Sequence, residues 1–359
     1  MEGVRSLRPY QPGKPIEEVE RELGLTDVVK LASNENPLGP GPFARAAFSA
    51  SGDSLGRYPD SNGSVLKTAL ARHHGVAETA LTLGNGSNDV LELIARAFVS
   101  PAHEVVFSEH AFLVYALVTQ AVGAQAVVTP ARRFAHDLEA MAGAVSARTR
   151  VVFIANPNNP TGTWVAHRPL EAFLQGVPAD VLVVVDEAYF EYVEEPEYPN
   201  CLPWVARYPN LIVTRTFSKV YGLAALRVGY AISHPVIADL LNRVRQPFNV
   251  NTPAQRAAIA ALQDNGHLAR SLAVNRNGMA QLEHGLQRLG LRYIPSVGNF
   301  VCVDVGRSGR NVYQALLQQG VIARPVDNYG LSNFLRVTVG QEAENGRFLE
   351  VLRRVLRRS

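Results

Sequence analysis

Lysine is scarce in this sequence. Only Lys14, Lys30, Lys67 and Lys219 occur, in a chain whose lysines and arginines total 35. Cysteine is scarcer still. Cys201 and Cys302 cannot build a disulfide framework, and Cys302 falls in an apolar strand-like run (299–305) where it suits a small core residue. No apolar run is long enough to span a bilayer, and no charged-then-apolar leader stands at the N-terminus. A reducing compartment, the cytoplasm, is the expected location. A strong charge bias is lacking too: a net +3 over 359 residues, with no basic run or aromatic-interleaved patch, does not suggest nucleic-acid binding. Arg353, Arg354, Arg357 and Arg358 are a local exception, at helical spacing after Phe348 and Leu349, and read as the solvated face of a terminal helix. What remains is ordinary for a soluble globular enzyme, 47% hydrophobic and 19% charged, and long enough for two domains or for one large α/β domain with a smaller one appended.

The prolines of RPYQPGKP disfavour helix, and the pattern turns helical over 16–23. KLASNENPLGPGP reads as an extended arm. A short helix over 43–49, the loop SLGRYPDSNG and a helix over 65–74 follow. A loop over 83–87 (LGNGS) then runs into an amphipathic helix over 88–98. Short runs rich in Val and Ile come next, over 104–107, 126–128, 151–155, 181–185, 211–216 and 228–233, separated by helical patterns such as 112–122. That alternation predicts an α/β fold whose sheet is covered on both faces. Beyond Pro247 the texture changes. Helices over 254–262 and 268–289, the second long enough to bridge domains, precede strands over 299–305, 322–324 and 334–339. The expected organisation is an arm over 1–45 that joins a small domain, a large domain over 46–250, and the rest of the small α+β domain over 251–359. Neither internal repeats nor low-complexity segments occur.

The polar groups of interest stand in the loops at the ends of these runs. Lys219 follows an apolar strand, between Ser218 and Gly222, with Arg227 eight residues on. An amine among buried strands loses charge and gains nucleophilicity, which a Schiff-base lysine requires; a snorkelling lysine at a strand end is the plainer alternative. Gly84-Asn85-Gly86-Ser87-Asn88 precedes a helix, where glycine lets the backbone approach an anion and the helix start supplies free N–H groups, although Ser87 also suits a simple helix cap. Asn156-Pro157-Asn158-Asn159-Pro160-Thr161-Gly162 makes a turn whatever else it does. Asp186, ahead of Glu187, Ala188 and Tyr189, ends the run VLVVV. A carboxylate there needs a cationic or donor partner: a protonated heterocyclic nitrogen, or one of the many arginines. Arg324 and Arg336, on short C-terminal strands, suit fork-shaped recognition of a carboxylate or phosphate.

In this order and spacing, NPNNPTG, DEAY and SKVYGLAALRVGY resemble the fold-type I pyridoxal-phosphate-dependent aminotransferases: a large domain with a mostly parallel central sheet flanked by helices, plus a smaller α+β domain. The opening RPYQPGKPIEEVERELGL, the LASNENPLGP arm, the GRYPD loop and the closing RPVDNYGLSNFLRVTVG resemble the histidinol-phosphate branch of that family, over about residues 8–349. The resemblance implies pyridoxal 5'-phosphate as cofactor, glutamate and histidinol phosphate with their keto partners as substrates, and a homodimer. By position it makes Lys219 the covalent anchor and general base, Asp186 the partner of the pyridine nitrogen, and Tyr189 and Asn159 the partners of the ring's phenolic oxygen. Gly86, Ser87, Thr216, Ser218 and Arg227 would cradle the phosphate, with Tyr58 reaching it from a neighbouring subunit. Arg324 and Arg336 would clamp the substrate's acidic end, and Asn34 would close over it. Two positions depart from the family pattern. Asn88 replaces a common acidic residue, with Asp89 following, and Phe112 replaces the tyrosine that stacks on the cofactor ring. Aromatic amino-acid aminotransferases share the scaffold and catalytic set, and threonine-phosphate decarboxylases share the cofactor. Regulators that sense the cofactor would carry an N-terminal helix-turn-helix, whereas this chain starts within the catalytic pattern.

Overall fold

The computed structural model describes residues 2–5, 7 and 13–357. The expectations for residues 8–12 and for Arg358 lie outside these. Seven strands form the main sheet: β1 (Leu81–Gly84), β2 (Glu104–Ser108), β3 (Gln125–Thr129), β4 (Thr149–Ala155), β5 (Leu182–Asp186), β6 (Leu211–Thr216) and β7 (Gly229–Ser233). Their spatial order is β1-β7-β6-β5-β4-β2-β3. All neighbours are parallel except β7, which runs antiparallel to both β1 and β6. Side chains alternate across this sheet. Val106, Val152, Ile154, Val183, Val185 and Val213 pack into one core, while Val105, Phe107, Val151, Phe153, Val184 and Ile212 pack into another on the opposite face. Helices cover both faces, which is why these strands read as nearly continuous apolar runs.

Expectation and structure part at a few places. Leu83 and Gly84, read as loop, belong to β1, whose four residues are too few to show a period of two against the polar Thr82. The helix Thr252–Ala261 was expected in the C-terminal unit. It instead packs Ala254, Ala257 and Ala258 into the same core as Leu66, against the helix Pro42–Ser49. Small alanine faces let these two helices sit close, a packing that sequence texture does not reveal.

A second sheet contains β8 (Arg292–Ile294), β9 (Phe300–Asp304), β10 (Arg324–Val326) and β11 (Leu331–Thr338), in the order β8-β9-β11-β10. Its core holds Val301, Val303, Leu335 and Val337 with Phe348 and Leu352 of the terminal helix Glu342–Arg357. Arg353, Arg354 and Arg357 face solvent there, as expected. The long helix Asn265–Arg288 joins the two cores: Leu268 and Leu272 pack on the first, Met279, Leu282 and Leu286 on the second. The arm is anchored to the smaller sheet's side, where Val29–Lys30 pairs in parallel with Val321–Ile322. No helix among the described residues is long and apolar enough to cross a membrane.

Candidate active site

The C-terminal ends of the parallel strands open on a cavity of about 190 Å³, closed on its far side by the arm and by β11. Open parallel sheets concentrate ligand sites at this edge because loops from several strands converge there. Lys219, Asp186, Tyr189, Asn159, Phe112, Ser87, Asn88, Thr216, Ser218, Arg227, Arg336 and Asn34 all line it.

Asp186 is the last residue of β5 and is 5% exposed. Burial pushes its carboxyl pKa up, opposed by hydrogen bonds from Thr214 and Tyr115. Lys219 follows β6 by three residues and donates from Nζ to the Ser33 carbonyl at 3.3 Å. Burial first, and then the Arg336 charge, lower its pKa to about 8. An amine so placed is part-deprotonated near neutrality, which serves both nucleophile and base. Tyr189 accepts a 2.8 Å hydrogen bond from Asn34 Nδ2, and burial raises its pKa. Asn34 itself holds a left-handed φ of 55°, fixed by its backbone N–H to Thr338 Oγ1 at 2.9 Å and by Asn299 Nδ2 to its carbonyl at 3.0 Å.

An anion cradle lies at the other end. Gly86 has φ +85°, and a Cβ there would stand 2.2 Å from Arg227 Nη2, so only glycine lets the guanidinium lie against this backbone. The helix Ser87–Phe98 begins immediately after it, presenting its N-terminus. Arg227 Nη1 donates to Ser218 Oγ at 3.3 Å, and Thr216 Oγ1 donates to the same oxygen at 3.0 Å. Asp89, two residues into this helix, turns to the Asn85 N–H (2.7 Å) and Asn249 Nδ2 (2.9 Å), leaving Asn88 on the cavity wall.

Arg336, 5% exposed, donates to Asn159 Oδ1 at 2.5 Å and to the Ala32 carbonyl at 2.6 Å, while its Nε is buried with no partner among the described residues. A guanidinium on the cavity wall suits an incoming oxyanion.

Three expected residues do not line the cavity: Gly86, which sits behind Arg227 at its edge, Arg324 and Tyr58. Arg324 sits opposite Arg336 in the β10–β11 pairing and is 7% exposed, but does not line the wall. Tyr58 is 83% exposed and stacks on Phe248 at 4.7 Å, away from this chain's own site. Sequence reasoning missed Ser33, whose carbonyl meets Lys219, and Thr214 and Tyr115, which grip Asp186. Thr214 was findable: it lies directly across the β5–β6 register from Asp186.

A buried carboxylate, a lysine of lowered pKa and an anion cradle on one sheet edge are what an aldehyde-bearing phosphorylated pyridine requires. A class I and II aminotransferase model matches residues 26–352, and the chain belongs to that family. It is 60% identical, over 99% of its own length and 96% of the relative's, to histidinol-phosphate aminotransferase 1 of Nitrosococcus oceani. It is 61% identical, over 99% of its length and 97% of the relative's, to histidinol-phosphate aminotransferase 2 of Pseudomonas fluorescens. Its fold is similar to the crystal structure of a Sinorhizobium meliloti histidinol-phosphate aminotransferase in complex with pyridoxal-5'-phosphate, with TM-score 0.90 and 30% identity, covering 99% of this chain and 97% of that one.

Proposed function

We propose that this chain is a pyridoxal-phosphate-dependent aminotransferase that exchanges an amino group between glutamate and imidazole-acetol phosphate, yielding 2-oxoglutarate and histidinol phosphate in histidine biosynthesis. The observation that carries the reading is the convergence of Lys219, Asp186 and Arg336 on one cavity. The cofactor, once bound, supplies an electron sink for bond breaking at the substrate's α-carbon. Lys219 would anchor it covalently and, once freed by the incoming amine, would take the substrate's α-proton and pass it to the carbon that carried the cofactor's aldehyde. Asp186 pairs with the pyridine nitrogen, and Tyr189 and Asn159 meet the ring's phenolic oxygen. Gly86, Ser87, Thr216, Ser218 and Arg227 hold the phosphate, while Asn88 stands at the cradle's edge and Phe112 offers its face to the ring. Arg336 receives the substrate's acidic end, a carboxylate in glutamate and a phosphate ester in histidinol phosphate; its planar fork suits both. Arg324 stands behind it and adds to the positive potential, and Asn34 closes the arm over the substrate.

The working unit is a homodimer in the cytoplasm, with Tyr58 of each subunit completing the phosphate cradle of the other. The large domain extends through the helix Thr252–Ala261, the helix Asn265–Arg288 bridges, and the arm joins the small domain. The experiment is a half-reaction. Cofactor-loaded protein is mixed separately with histidinol phosphate, phenylalanine and glutamate, and the cofactor absorbance is followed by stopped flow. Conversion with histidinol phosphate far ahead of phenylalanine is expected. Equal or faster conversion with phenylalanine would instead make this an aromatic aminotransferase on the same scaffold.

A further inference from the structure

The Asp186 carboxylate is gripped from behind by two hydroxyls. Thr214 Oγ1 donates to Oδ1 at 2.9 Å, and the Tyr115 hydroxyl donates to Oδ2 at 3.1 Å. Neither residue lines the cavity, so neither touches a ligand. Tyr115 belongs to the helix Val114–Ala121 and is fully buried. Its ring lies flat on Phe153, with centroids 4.7 Å apart and planes within 4°, and meets Phe112 edge-on at 5.8 Å and 90°. Two aromatic neighbours at fixed angles leave the phenol little freedom, so the hydroxyl is aimed by packing before any ligand arrives. Burial, and secondarily the Asp186 charge, hold the Tyr115 hydroxyl well above its ordinary pKa, so it remains a proton donor at working pH.

We propose that Tyr115 is a positioning residue for the cofactor: its hydroxyl keeps the Asp186 carboxylate ionised and turned toward the cavity, and its ring braces Phe112, so that one side chain sets two of the groups that meet the pyridine ring. The proposal rests on the reading of Asp186 as the partner of the ring nitrogen. A buried carboxylate that loses a donor becomes more basic. It then draws toward itself the proton it shares with the ring nitrogen, and the electron sink weakens. Other ionisable groups act around this anchor: Glu187, paired to Arg215 on the opposite face of the sheet, and Lys219, Tyr189 and Tyr329. None of them donates a hydrogen bond to Asp186 among the described residues, whereas Tyr115 and Thr214 do.

The test is Tyr115→Phe, which keeps the ring stack and removes only the hydroxyl. In protein loaded with pyridine-¹⁵N-labelled cofactor, the ring-nitrogen resonance should move toward the unprotonated position. Turnover should fall about tenfold, with KM for histidinol phosphate changed by less than about twofold. Cofactor-free protein gives a second readout. A carboxyl whose folded pKa is raised destabilises the fold as pH climbs through that pKa, and the variant raises it further, so its loss in Tm relative to the parent should grow with pH. In an Asp186→Asn background that pH-dependent part should vanish. Thr214→Val should move the resonance in the same direction. An unshifted resonance together with a loss in Tm uniform across pH would overturn the proposal and leave Tyr115 as packing alone. The underlying reading fails differently: Asp186→Asn with the parent's resonance and turnover would remove the anchor itself.

Discussion

Lys219 is the residue on which the proposed chemistry turns, and its environment can be tested without turnover. Burial and Arg336 lower its pKa from 10.5 to about 8. An amine depressed in this way stabilises the fold fully above its unfolded pKa and loses that contribution as pH falls through the folded value. Cofactor-free protein should therefore gain stability as pH rises from about 8 to 10.5, the window set by these two values. Lys219→Met removes the burial cost of the ammonium, so the variant should melt higher than the parent below that window and lose its advantage above it. Thermal melts of both proteins across the window measure this, and a constant difference between them would show that the amine is not desolvated. The same variant should form no covalent link to the cofactor. Among residues, Lys219 and Asp186 were legible as charged side chains following or ending an apolar strand, and Arg336 as a charge within a short strand, arrangements that burial makes costly without a purpose. Tyr115 and Ser33 were not. The first acts through a helix face whose aromatic residues read as ordinary core, and the second acts through a backbone carbonyl, which every residue possesses.

At the scale of elements, the turn between β1 and the helix Ser87–Phe98 shows how little space the cradle leaves. Gly86 combines a left-handed φ with a Cβ position 2.2 Å from Arg227 Nη2. Gly229, at the start of β7, would place a Cβ 2.4 Å from the Ser87 N–H nitrogen on the same turn. Gly86→Ala should push Arg227 out of the cradle and weaken affinity for pyridoxal phosphate by about tenfold or more, because a charged fork is lost from the phosphate. Titration of the cofactor-free variant by absorbance measures this, and parental affinity would show that Arg227 is not a phosphate ligand. The sequence LGNGS displayed the glycines, and the amphipathic pattern displayed the helix. The positive φ of Gly86 disfavours any side chain there, and the group that a Cβ would displace belongs to Arg227, more than a hundred residues away, whose own φ of 52° is left-handed. Long-range contacts of this kind have no local period to read. The central strands were legible for the opposite reason: a strand covered on both faces is apolar throughout, as VLVVV and VVFIA are.

At the scale of the whole molecule, several large apolar side chains stand in solvent. Phe43, Phe48, Leu55, Tyr58 and Phe248 are 53%, 50%, 70%, 83% and 41% exposed. They lie on connected pieces: the helix Pro42–Ser49 packs on Thr252–Ala261, and Tyr58 stacks on Phe248. Exposed apolar side chains of this kind suit an interface, and in the homodimer proposed above a second copy of the chain would supply the matching surface by two-fold symmetry. If Tyr58 reaches the cradle of the other subunit, each site draws on two chains, and complementation follows. Tyr58→Ala should bind cofactor weakly, and Lys219→Ala should be inactive. A heterodimer of the two variants holds one site with both defects and one with neither. Random reassociation of equal amounts makes half of the dimers mixed, so about a quarter of all sites should regain full function. Activity at limiting cofactor, measured before and after the two proteins are unfolded together and refolded, reads this directly. Recovery toward that fraction places Tyr58 across the interface, whereas activity that stays at the average of the separate variants confines each site to one chain.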